Sequence, residues 1–315
     1  MEKALIRVHI GWQPDTAFSE ALQEGLPDGV SVTTGDAPHP DTEILVWGRP
    51  SLEQMRRLPS LRAVVVPFTG VPQETIEAVR ALEGVTLHNL HHNAPATAEM
   101  AIALMFAAAK RLIPADAEFR QSGWKAREQP PAMLLSGKRA VVLGYGEIGR
   151  RIADCCRGIG MSVTAVSRTG GGGALPVNRL HEALPEADAL LLALPATSET
   201  EGLIGAEEFR FLKPSCILVN VGRGATVDEE ALFAALSEGR IGGAGLDVWY
   251  RYPRHGADRP SRLPFERLAN VVLSPHRGAD VDENEVLRAR ALNGLLLAAV
   301  QGEPIPNEVD VAAGY

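Results

Sequence analysis

The sequence predicts an α/β protein with two lobes, each carrying a parallel sheet, one of them a Rossmann-type dinucleotide-binding domain. Three observations predict it. Short apolar runs alternate with helical segments along the whole chain, the pattern of strands covered by helices. The length of 315 residues suits two domains better than one small core. A glycine loop, Gly144-Tyr145-Gly146-Glu147-Ile148-Gly149, stands between an apolar run and a helical one.

In the first third, strands are expected over residues 4–10, 44–46, 63–66 and 85–87. The segment 97–112 is rich in Ala, Met and Leu and is followed by Pro114, so a long buried helix is expected there, stopped by the proline and carrying the chain between lobes. Further strands are expected over 140–143, 162–166, 189–194, 216–220, 243–246 and 271–273, enough for a second sheet. The four glycines 170–173 read as a flexible surface loop. A last apolar helix over 286–300, ended by Gly302 and Pro304, returns the chain to the first lobe and makes that lobe discontinuous. Residues 1–98 and 286–315 are thus expected to form one domain and 99–285 the other.

Composition excludes several function classes. Lys and Arg number 31 against 39 Asp and Glu, a net charge of −8, with no basic run to meet a phosphate backbone, so nucleic acid is not expected as a partner. No stretch approaches the roughly 20 apolar residues of a membrane span, and the N-terminus, with Arg7 inside its short apolar run, lacks a signal-peptide core. Three cysteines, two of them adjacent at Cys155-Cys156 and read as buried packing residues, fit a reducing compartment, the cytoplasm. His88, His91 and His92 match no zinc spacing, and no metal is expected.

The glycine loop is a site because of its context. Gly144 permits the tight turn, Gly146 lets the backbone approach a pyrophosphate, and Gly149 allows helix and strand to pack closely while the helix N-terminus faces the anion. About 20 residues on, where NAD-binding proteins place a carboxylate on the ribose 2′-hydroxyl, the chain has Ser167 and Arg168. A hydroxyl and a guanidinium suit a 2′-phosphate, so NADP(H) is the expected cofactor, with NAD(H) the alternative.

Four further stretches carry a resemblance: Asn93-Ala94-Pro95-Ala96-Thr97-Ala98-Glu99, Leu194-Pro195-Ala196-Thr197-Ser198-Glu199-Thr200, Val219-Asn220-Val221-Gly222-Arg223-Gly224, and Gly245-Leu246-Asp247-Val248 with the later Ser274-Pro275-His276. Together with the glycine loop, and in this order, they resemble the D-isomer-specific 2-hydroxyacid dehydrogenases. The resemblance implies a flavodoxin-like substrate domain beside the dinucleotide-binding one, with the cofactor in the cleft, and a homodimer. For that dimer the helix over 97–112 could serve as interface or as interdomain core. The resemblance also implies cofactor contacts from Leu194, Pro195, Thr200, Val221 and Asp247. Substrate contacts would come from Phe68, Thr69 and Gly70, with Asn93 nearby.

The chemistry implied is hydride transfer between the nicotinamide and a small 2-oxo or 2-hydroxy acid. Arg223 supplies a planar cation for the carboxylate, and His276 an acid in reduction and a base in oxidation. The chain departs from the family at one position. The pattern D-V-x-x-x-E-P becomes Asp247-Val248-Trp249-Tyr250-Arg251-Tyr252-Pro253, so Tyr252 replaces the glutamate that favours a protonated histidine. Tyr252 is therefore read as the residue that orients a neutral His276. Asp280 or Asp282 could replace the carboxylate, though both stand where a helix start favours acids anyway. The departure leaves open a formate-dehydrogenase-like oxidation of a small anion, whose Asp247-Val248-Trp249 wording is similar, and a non-enzymatic cofactor-sensing scaffold or corepressor.

Overall fold

The computed structural model describes residues 5–128, 130–252 and 259–314. Two units share the chain: residues up to Asn93 with those from Asp280 on form one, and Ala94–Ala279 the other.

The first unit begins with strand β1 (Ile6–Ile10) and helix α1 (Thr16–Gly25), which starts where the Asp15 carboxylate accepts the Phe18 N–H at 2.8 Å. It continues through β2 (Val30–Thr34), β3 (Ile44–Val46), α2 (Leu52–Arg56), β4 (Ala63–Val66), α3 (Gln73–Arg80) and β5 (Thr86–Asn89). The strands lie parallel in the order β2-β1-β3-β4-β5, the flavodoxin-like order. Every residue of β3 and β4 is buried, which explains their unbroken apolar runs: a parallel strand covered on both faces has no polar side.

The second unit runs α4 (Ala94–Ala109), α5 (Leu112–Ser122), β6 (Arg139–Leu143), α6 (Glu147–Gly158), β7 (Ser162–Ser167), β8 (Leu175–Pro176), α7 (Leu180–Ala183), β9 (Ala189–Leu192), α8 (Ala206–Phe211), β10 (Ile217–Asn220), α9 (Glu229–Ser237), β11 (Gly243–Leu246) and β12 (Val271–Leu273). Its seven parallel strands take the order β12-β11-β10-β9-β6-β7-β8, a Rossmann order with one strand added at an edge. Successive residues supply opposite faces. Val141, Leu143, Leu190, Leu192 and Leu218 join the layer under α7, α8 and α9. Ala140, Val142, Leu191, Ile217 and Val219 join the layer with α4 and α6.

Helix α10 (Asn284–Gln301) belongs to the first unit. Its Leu292, Leu295 and Leu296 share a core with Val8, Ile10 and Phe18, and Gly302 ends it at φ +72°.

Several elements differ from the sequence reading. β2 and β8 are additional; both are edge strands, β2 with Ser31, Thr33 and Thr34 among its five residues and β8 only two residues long, so neither carries the apolar run of a central strand. The first strand is described from Ile6, and Ala4 lies outside the described residues. The helix expected over 97–112 begins at Ala94 and breaks at Arg111, which takes φ +53°. Pro114 does not stop a helix. It sits in the first turn of α5, where a missing N–H leaves no bond unmade. Cys156 is buried but Cys155 is exposed, since neighbours on a helix point about 100° apart. The glycines 170–173 form a turn in which Gly170, Gly172 and Gly173 take positive φ.

Candidate active site

In the second unit every candidate residue lies at the carboxyl end of a strand, on one edge of one sheet. The glycine loop follows β6, Ser167 ends β7, Leu194 and Pro195 follow β9, Val221 and Arg223 follow β10, Asp247 and Tyr252 follow β11, and His276 follows β12. The strand order reverses between β6 and β9, which opens a crevice outside those ends.

The glycine loop is shaped by contacts that no side chain could share. Gly144 adopts φ +96°, and a Cβ there would lie 2.6 Å from the Ala193 carbonyl oxygen. A Cβ on Gly149 would lie 1.8 Å from the Gly144 oxygen, so α6 presses directly on the turn. Gly146, the N-cap of α6, faces open space: nothing stands within 4 Å of where its Cβ would be. That is a cradle fitted to a pyrophosphate, with free helix N–H groups behind it. Tyr145 and Ile148 pack against the α4–α6 layer, and Glu147 is exposed 3.8 Å from Arg151. At the end of β7, the Ser167 Oγ accepts the Gly170 N–H at 3.1 Å, and Arg168 is exposed.

Across the crevice, Thr200 ties its loop closed. Its hydroxyl donates to the Pro195 carbonyl at 2.7 Å and accepts the Thr197 N–H at 2.8 Å. A Cβ on Gly222 would lie 2.6 Å from the Leu194 nitrogen, so the loops after β9 and β10 touch there. Val221 is buried, its N–H bonded to the Leu192 carbonyl at 3.1 Å.

Arg223 has its backbone fixed from below. Asn220 accepts the Gly222 N–H at 3.0 Å and donates to the Arg223 carbonyl at 3.0 Å, while the Thr226 hydroxyl donates to the same carbonyl at 2.7 Å. The guanidinium itself donates to the Gly222 carbonyl at 2.8 Å.

Asp247 is 1% exposed, and its carboxylate holds the turn beyond β12, a part the sequence reading did not assign it. Its carboxylate accepts from the Ser274 hydroxyl at 2.5 Å, the Arg277 N–H at 2.8 Å and the Gly278 N–H at 2.8 Å. Those bonds clamp the turn that carries His276, which stands at φ +60°, rare for a residue with a side chain. The turn is held a second time by Trp249, whose indole N–H donates to the Ser274 carbonyl at 2.8 Å.

Tyr252 meets His276 ring against ring, centroids 5.1 Å apart and planes 49° apart. Its hydroxyl accepts the Trp249 N–H at 3.4 Å. Pro253 of the same pattern lies outside the described residues. His276 is exposed at the surface, yet the burial of part of its ring pushes its pKa below the ordinary imidazole value. The Asp247 carboxylate pulls it upward, and the Arg223 guanidinium pushes it down again.

In the first unit the loop after β4 carries Phe68, Thr69 and Gly70. The Thr69 hydroxyl donates to the Leu90 carbonyl at 3.2 Å and to the Asn93 side chain, and Asn89 donates to the Thr69 carbonyl at 2.6 Å. Phe68 packs over Gly48. His88 is bonded to the Pro306 carbonyl at 3.0 Å and the Thr86 hydroxyl at 2.8 Å. Among the described residues no group of three or more His, Cys, Asp or Glu could hold a metal ion.

Sequence reading missed the residues behind the site: Asn220, Thr226, Trp249 and Ser274. Asn220 had a signal, since an Asn two residues before a glycine turn commonly bonds the backbone there. The Ser274–Asp247 bond had none, because it joins the ends of two strands 27 residues apart.

A family model described as D-isomer specific 2-hydroxyacid dehydrogenase, NAD binding domain, matches residues 102–278. A glyoxylate reductase of Thermococcus litoralis is 38% identical over 68% of this chain and 66% of its own length, so the match spans just under two thirds of that relative. Among solved structures, a D-isomer specific 2-hydroxyacid dehydrogenase from Xanthobacter autotrophicus in complex with NADPH and MES is similar at TM-score 0.81 and 25% identity, covering 99% of this chain and 100% of that one. An NADPH-dependent glyoxylate/hydroxypyruvate reductase from Sinorhizobium meliloti, in complex with NADP and malonate, is similar at TM-score 0.75 and 25% identity over 98% of both chains.

Proposed function

The chain belongs to the D-isomer specific 2-hydroxyacid dehydrogenases, and from that premise we propose that it transfers a hydride between NADP(H) and a small 2-oxo or 2-hydroxy acid. One observation carries the reading. Arg223 and His276 leave the same sheet edge with their backbones fixed by Asn220, Thr226 and Asp247.

The bound nicotinamide supplies or takes the hydride. Arg223 holds the substrate carboxylate and polarises the carbonyl beside it. In reduction an imidazole nitrogen of His276 gives its proton to the developing alkoxide; in oxidation it takes the hydroxyl proton. Tyr252 leans against that ring at a tilt. Ser167 and Arg168 support the phosphorylated cofactor, as do the NADPH and NADP bound by the Xanthobacter and Sinorhizobium proteins.

A nicotinamide-absorbance screen with glyoxylate, hydroxypyruvate, pyruvate, phenylpyruvate and formate tests the reading. Turnover of a 2-oxo acid is expected, with kcat/KM at least about 100-fold lower in Arg223→Gln, as for loss of a charge-stabilising donor. Turnover of formate alone would change the substrate, and no turnover despite tight cofactor binding would leave a cofactor-sensing scaffold.

The same reading includes a homodimer and a cytoplasmic setting. Helix α5 buries none of its residues and exposes Leu112, Ile113 and Phe119, with Trp124 and Leu134 exposed just beyond, an apolar surface that a second copy would cover. The three free cysteines suit a reducing compartment.

A further inference from the structure

Two features at the far end of the glycine loop remain without a part to play: Arg150, the residue after the last glycine, and the four-glycine run after β7. They lie together. The guanidinium of Arg150 is held in place by Tyr145, whose carbonyl accepts its Nε–H at 3.2 Å and whose ring lies 5.2 Å beneath it. Among the described residues the free end of that guanidinium is the only group within 4 Å of where a Gly172 Cβ would stand, at 3.7 and 4.0 Å. Its two terminal nitrogens donate to no acceptor among the described residues, and no carboxylate pairs with it there.

The glycine run makes this possible. Gly170, Gly172 and Gly173 all adopt positive φ, and positions 171 and 173 have nothing within 4 Å of a would-be Cβ. The turn therefore passes close to Arg150 without covering it. Its first N–H, at Gly170, is bonded to the Ser167 Oγ, so the turn, Ser167 and Arg168 form one continuous rim. A cation whose donors are unused and whose stem is fixed beside that rim suits a dianionic group.

Resting on the reading of Ser167 and Arg168 given above, we infer that Arg150 is a specificity-determining residue that binds the 2′-phosphate of the adenosine ribose, across the Gly170–Gly173 turn. The pyrophosphate takes the glycine loop and the α6 N-terminus; the 2′-phosphate takes Arg150, Ser167 and Arg168. The four-glycine run is then the opening through which Arg150 reaches it.

The test measures binding directly, by titration calorimetry with NADP⁺, NAD⁺, adenosine 2′,5′-bisphosphate and 5′-AMP. In Arg150→Gln, Kd for NADP⁺ and for the bisphosphate is expected to rise about tenfold or more, the usual effect of losing a hydrogen bond to a charged group, with Kd for NAD⁺ and 5′-AMP within about twofold. Arg150→Lys should recover part of the loss. Gly172→Asp, tolerable at positive φ, places a carboxylate beside Arg150 and should weaken the same two ligands selectively without altering Arg150 itself. Equal weakening of all four ligands in Arg150→Gln, or none, would overturn the inference while leaving the cofactor reading intact. A wild-type protein that binds NAD⁺ as tightly as NADP⁺ would overturn both.

Discussion

Tyr252 faces His276 through its ring, and its hydroxyl is turned to the Trp249 N–H instead of an imidazole nitrogen. With no anion at that position, burial decides the histidine's pKa and lowers it, so near neutral pH the ring is a ready base and a scarce acid. Reduction, which needs the protonated ring, should therefore lose kcat/KM as pH rises through that depressed pKa, and run best on the acid side. Tyr252→Glu adds an opposite charge and should carry the falling limb upward by about one pH unit or more. A pH–rate profile of reduction checks it, and an unmoved limb would separate Tyr252 from the proton. At this scale the sequence singled out Arg223 and His276 only through the motifs that carry the family resemblance, and the structure brings both to one sheet edge. Asp247 was read as a cofactor contact implied by the resemblance, and its part in holding the His276 turn was not legible. Its bonds to Ser274, Arg277 and Gly278 depend on which strands lie side by side, and single-residue reasoning holds no such information.

The turn from β6 into α6 carries its function in its spacing. Gly149 lets the helix touch Gly144, whereas Gly146 faces open space, so the two should fail differently. Gly149→Ala must push α6 off the sheet and is expected to lower both Tm and cofactor affinity. Gly146→Ala has φ −83° and room for a methyl, so it should keep Tm within a degree or two while weakening cofactor binding. Thermal melts with and without cofactor separate the cases; equal loss of Tm in both would contradict the division. The strong elements, β3, β4 and β9, were readable because central parallel strands are apolar throughout. β2 and β8 were not, since an edge needs little apolar surface. Pro114 misled because a proline both ends helices and opens them, and only the left-handed Arg111 before it decides which.

Over the whole molecule, two parallel sheets follow from alternation of strand and helix, and the strand orders follow once each sheet is known to reverse direction at a switch point. The first unit also carries a buried titratable group that no sequence pattern marks. His92 is 8% exposed, and burial, with the Arg288 guanidinium adding to it and outweighing the Asn284 amide, lowers its pKa to about 4. Its folded form resists the proton that the unfolded chain takes near 6.5. The stability contributed by neutral His92 is thus complete above pH 6.5 and is lost as pH falls from there toward 4. Tm followed over that window should drop in the wild type and drop less in His92→Gln; parallel curves would show that the loss comes from other groups.

Helix α10 fills the core of a unit whose strands come from the opposite end of the chain. On a ribosome those strands wait. Some 190 residues separate Asn93 from Asn284, and at 5–20 residues per second this amounts to about 10–40 s. Throughout that interval Val8, Ile10, Phe18 and Leu22 lack the leucines that cover them, whereas Ala94–Ala279 can close its sheet as soon as it has emerged. For most of that interval the newborn chain is thus an uncovered apolar sheet followed by a dinucleotide fold still being made, the form in which its apolar surface is most open to association.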